Sequence, residues 1–129
     1  MGQSLMQGFE PVTLTWDGKE YTVPANRQLP LIARVEDALA GDTGEQAISI
    51  LFRRGGPPHS RMAAAFGAAL RFAGATVTDD EIYLAIHEDI ASGSQADVVV
   101  KVNMMVLALM SVISPPSVRK LKESSEKKP

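Results

Sequence analysis

The chain has 129 residues, 45% apolar and 22% charged, which fits one compact domain and neither a disordered nor a fibrous chain. Cysteine is absent, which excludes a disulfide framework, a thiolate nucleophile and cysteine-ligated zinc or iron–sulfur clusters. The net charge of −2 is unevenly placed: residues 1–113 hold 8 basic against 13 acidic side chains, and residues 114–129 hold 5 against 2, so a nucleic-acid partner would rest on the tail alone, which offers no aromatic platform for bases.

The opening run from Met1 to Phe9 has no basic region and no long apolar stretch, so no secretory signal is expected, and Met6 breaks the myristoylation pattern. Residues 1–10 read as a flexible N-terminus, 11–113 as a single globular domain and 114–129 as a basic, disordered tail. Val12 to Trp16 and Lys19 to Val23 alternate in polarity around Asp17-Gly18, the strongest short signal for a β-hairpin. Two strands alone are marginal, so the hairpin must lie on helices or pair with another chain. Pro24 and Pro30 bracket a turn, after which Leu31, Ile32, Val35, Ala38 and Leu39 form a helical stripe that ends before Gly41.

Thr43-Gly-Glu-Gln46 reads as a capping box for a second helix with Ala47, Ile48, Leu51 and Phe52 on one face, ending at Arg53, Arg54 and Gly55. Gly55 to Pro58 breaks the helix, and Ser60 can cap a third one with Met62, Phe66, Ala69, Leu70 and Ala73 on one face, stopping at Gly74. Thr78-Asp-Asp-Glu81 is a second capping box, and Ile82, Ile86 and Ile90 line the inner face of the helix it opens. A last helix runs from Gln95 or Ala96 to Ile113, stopped by Pro115-Pro116. The low aromatic share, 5%, with abundant Ala, Leu, Ile, Val and Met, suits helix-on-helix packing. The expected class is α+β: a mostly α-helical small domain of about five helices with an N-terminal β-hairpin.

Groups with chemical potential are few, and most have an ordinary structural account. His87, Glu88 and Asp89 are consecutive on a helix and point about 100° apart, so they do not converge. His59 sits in a proline-rich loop without a second histidine at helical spacing, and Gly55-Gly56 beside Arg53-Arg54 lacks the Walker spacing. Asp79, Asp80 and Glu81 suit a helix N-terminus, and the helix they open carries no Lys or Arg to contact a DNA phosphate. No catalytic residue, metal or cofactor is expected.

The last helix is apolar nearly all round. Val102, Met105, Leu109, Val112 and Ile113 gather on one side with Val98, Val99 and Val106 beside them, while Val100, Met104 and Leu107 lie near the opposite side. Either this helix is central and surrounded by the other four, or its Met-bearing side meets a partner or another copy of the chain. The second alternative names Val100, Met104 and Leu107 as partner-binding residues. The apolar run from Val98 to Ile113, 16 residues including Lys101 and Asn103, is shorter than a spanning helix requires, so no membrane partner is expected.

The hairpin at Trp16-Asp-Gly18, Leu31-Ile-Ala-Arg-Val-Glu36, Ala68-Ala-Leu-Arg-Phe-Ala-Gly74, the capped Val77-Thr-Asp-Asp-Glu-Ile82 and the closing apolar helix together resemble a small tail assembly chaperone of long-tailed phages. The pattern is similar to the version in phage-like gene transfer agents and related prophages, some of which have been labelled tail tube proteins. The resemblance implies a non-enzymatic role in the host bacterial cytoplasm. There such a chaperone binds the long helical tape measure protein, keeps it soluble and leaves as tail tube protein polymerises around it. Homo-oligomerisation is compatible with that role, and nucleic acid has no part in it. The alternative is a structural component of the tail, tube or connector. Tube subunits resemble β-sandwiches, whereas one hairpin and several helices are readable here, which favours the chaperone.

Overall fold

The computed structural model describes residues 10–54, 56–93 and 95–113. The expected flexible N-terminus lies outside this set except for Glu10, and the expected basic tail lies outside it entirely. Among the described residues the chain forms a two-stranded antiparallel hairpin and five α-helices, the expected α+β class.

Strands β1 (Val12–Trp16) and β2 (Lys19–Val23) pair in the register Val12 to Val23 through Trp16 to Lys19. The joining residues Asp17 (φ 51°) and Gly18 (φ 76°) both adopt positive φ, the turn whose twist matches that of the strands. Alternation then sorts the side chains: Val12, Leu14 and Val23 are buried, while Thr13 and Thr22 bond each other across the outer face at 3.0 Å. Trp16 meets the edge of the Phe66 ring, with centroids 6.2 Å apart, so the hairpin is anchored on the helices.

After a 3₁₀ turn (Ala25–Arg27), helix α1 (Gln28–Ala40) begins earlier than Pro30, because proline is tolerated anywhere in a first turn. Gln28 is fully buried, and its side-chain amide donates to the Glu10 carbonyl, tying the helix to the chain entering β1. Leu31, Val35 and Leu39 form its inner face. Helix α2 is shorter than the pattern implied, spanning only Ala47–Leu51. The expected capping box does not form: Thr43 Oγ1 donates to the Ala40 carbonyl at 2.7 Å and accepts from the Glu45 amide at 3.1 Å, which closes the turn after α1 instead. The buried face of α2 is Ala47, Ile50 and Leu51; of the four residues expected to share one face, Ile48 and Phe52 are exposed, since one and a half turns can present only one narrow stripe.

Helix α3 (His59–Phe72) starts at Pro58, and Ser60 makes no cap because it lies inside the first turn. It buries Met62, Ala63, Ala65, Phe66, Gly67, Ala69 and Leu70, more than one face, and packs against α1 and α4. Small residues give these neighbours close access. At Gly67 an added Cβ would lie 2.2 Å from Asp79 Oδ1, 2.8 Å from Arg71 Nη1 and 3.3 Å from Ile82 Cδ1. That gap is where the Arg71–Asp79 ion pair, 2.8 Å long, joins α3 to the start of α4.

Helix α4 (Asp79–Ala91) opens with the predicted capping box: Thr78 Oγ1 accepts from the Glu81 amide at 3.2 Å, and Glu81 Oε1 accepts from the Thr78 amide at 3.1 Å. Ile82 and Ile86 are buried, but Ile90, expected beside them, is exposed near the helix end. Helix α5 (Gln95–Ile113) packs on α4, α1 and α3 through Val102, Met105, Leu109, Met110 and Val112. It is not enclosed by the other helices, since Val100, Met104 and Leu107 are exposed, whereas α3 is buried along most of its length. Val99, which periodicity sets beside the core side, is exposed, as are Gln95, Ala96 and Asp97 in the first turn of α5. With 19 residues, α5 is long and apolar enough by length and composition to cross a membrane, which the shorter apolar run had not indicated.

Candidate functional site

Val100, Met104 and Leu107, the three residues named from sequence, are 56%, 66% and 54% exposed. Their common side of α5 faces an open groove of about 1780 Å³, walled by β1, α4 and α5. Leu14 and Trp16 line the β1 wall, and Leu84, 64% exposed, lines α4. The groove follows from two local facts. Adjacent helices α4 and α5 are joined by a turn at Ser92 and Gly93 and lie side by side, and β1 reaches α5 from its other flank. Nothing on the described chain fills the space between them.

The groove is apolar in its floor and acidic at its margins. Asp17, Glu81, Glu88 and Asp97 border it, against one cation, Lys101, whose Nζ donates to the Ala85 carbonyl of α4 at 3.3 Å. The Lys101 stem thus spans the α4–α5 seam. Ser111 Oγ donates to the Leu107 carbonyl at 3.0 Å, turning the hydroxyl back onto its own helix.

A second, shallower depression of about 600 Å³ is bordered by Arg53, Arg54, Pro58, His59, Tyr83 and His87. Here the structure joins residues that the sequence kept apart: His59 Nδ1 and His87 Nε2 are 3.4 Å apart, and the Tyr83 ring stacks on His87 with centroids 4.3 Å apart. The separation of 28 positions leaves no local pattern, so spacing rules could not have found this pair. His87 also borders the groove, so the two depressions share this residue. Of the run His87-Glu88-Asp89, His87 turns to His59 and Glu88 is exposed, while the Asp89 side chain lies outside the described residues. Asp79 pairs with Arg71, Glu81 is the cap partner, and Arg53 pairs with Glu45 at 2.5 Å. Of the expected glycine pair only Gly56 is described. No group of three or more metal-ligating side chains occurs among the described residues.

Comparison with protein-family models, curated proteins and solved structures finds no match to this chain.

Proposed function

We propose that this chain is a tail assembly chaperone of a long-tailed phage or a phage-like gene transfer agent. It holds the tape measure protein in soluble form in the bacterial cytoplasm until the tail tube polymerises around it, and it acts without catalysis. One observation carries the reading: the most apolar helix of the chain leaves Val100, Met104 and Leu107 open to solvent along a groove also lined by Leu84 and Trp16. A contiguous exposed apolar surface on a small domain is a site for contact with another macromolecule. Its elongated form suits a helical segment, and the methionine lets one surface accept varied apolar sequences.

The test is co-expression with the longest helix-rich protein encoded beside this chain. The expected result is a rise in that protein's soluble fraction, co-purification of the two, and loss of both with Met104→Gln. Stable incorporation of this chain into purified particles, with no effect on the solubility of the tape measure protein, would replace the chaperone by a structural tail component.

A further inference from the structure

We infer that the groove between β1, α4 and α5 receives one three-turn amphipathic helix whose apolar stripe is flanked by lysine and arginine. This deepens the chaperone reading by giving the chemistry of the segment that is held, and it rests on that reading only for where the segment comes from.

Shape is the first argument. The outer side of α5 presents Val100, Met104, Leu107 and Ser111, alternately four and three residues apart, the spacing with which one helix receives the side chains of another at a small crossing angle. Leu84 and Ala85 of α4 run alongside and complete the seat. From Val100 to Ser111 the helix rises about 16 Å, so the seat it offers is three turns long.

Charge is the second argument, and it selects among guests. Asp17, Glu81, Glu88 and Asp97 stand around the apolar floor against Lys101 alone among the described lining residues, so the margin is net negative. Phosphate-bearing ligands, whether nucleic acid or anionic lipid, meet repulsion there. A second copy seated groove to groove would bring the same carboxylates together. Basic residues beside the guest's apolar stripe instead meet opposite charge at the margins, which speeds encounter and fixes register.

The probe is a fluorescent peptide of about sixteen residues, short enough to be mostly unfolded alone, with leucine and methionine at i, i+3, i+4 and i+7 and flanking lysine and arginine. A matched peptide keeps the stripe and carries glutamate and aspartate. Each is titrated into the full chain by anisotropy at low and raised salt, and helix content is followed by circular dichroism. The basic peptide should bind and gain helix, and the acidic one should bind about tenfold or more weakly, with the gap closing as salt rises. Met104→Gln and Leu84→Gln should each weaken the basic peptide by about tenfold without moving the thermal midpoint. Asp17→Asn combined with Glu88→Gln should erase the preference between peptides while keeping the stripe-dependent part.

Equal affinity for the two peptides overturns the inference, as does binding without a gain in helix, which would mean a strand on β1. So does indifference to both stripe substitutions, preferential binding to phosphatidylglycerol vesicles, or a dimer that Met104→Gln dissolves. The two proposals fail separately. Peptide binding with no effect on the tape measure protein removes the chaperone and keeps the groove; a soluble complex that survives both stripe substitutions does the reverse.

Discussion

Helices α3 and α5 exchange the roles that their compositions suggest. Twelve of the last sixteen residues of α5 are large and apolar, yet one side of it is open to solvent, whereas α3, rich in alanine and holding Gly67, is buried on most sides. Large side chains on every face hold neighbours at a distance. Small ones let three elements share a single axis, so the centre of this domain is set by how closely backbones can approach rather than by which segment is most hydrophobic. The surplus apolar surface of α5 is then left for something else to cover.

That contrast can be broken in graded steps. Leu70→Ala, at a fully buried position of α3, should destabilise by about 2–5 kcal/mol, read as a shift in the urea midpoint. Gly67→Val should cost about 1–3 kcal/mol, because the branched side chain must displace the Arg71–Asp79 pair and press on Ile82; a value near zero would show that α4 can move away freely. Thr78→Ala removes the cap of α4 and should cost about 1 kcal/mol by the same measurement. Met104→Gln on the open side of α5 should change stability by no more than about 0.5 kcal/mol, and a loss comparable to that of Leu70→Ala would place Met104 in the core.

Sequence patterns located elements better than they located faces. The hairpin, with its Asp17-Gly18 turn, and the Thr78 capping box are local chemistry, and both stand where spacing put them. Ile48, Phe52, Ile90 and Val99 were placed in or beside the core and are exposed, because each lies on a short element or near a helix end where a stripe continues but its partner does not. Periodicity reports which residues share a side of a helix, and only neighbours decide whether that side is covered. For the groove, α5 supplied the readable part, while the contributions of Leu84 and β1 depend on contacts between elements distant in sequence. The His59–His87 clasp is the extreme case, since neither residue carries a local sign of the other.

The hairpin on α5 has a consequence for timing. The groove is bounded by the first strand and the last helix of the described chain, from Thr13 to Ser111, so it cannot form before α5 has left the ribosome. While the ribosome still holds α5, β1 can pack only on the earlier helices, and no seat is available for any guest. A fragment released early, lacking α5, would keep many local turns yet could not compete for the guest. The groove therefore exists only once the last described helix has packed on the rest of the domain.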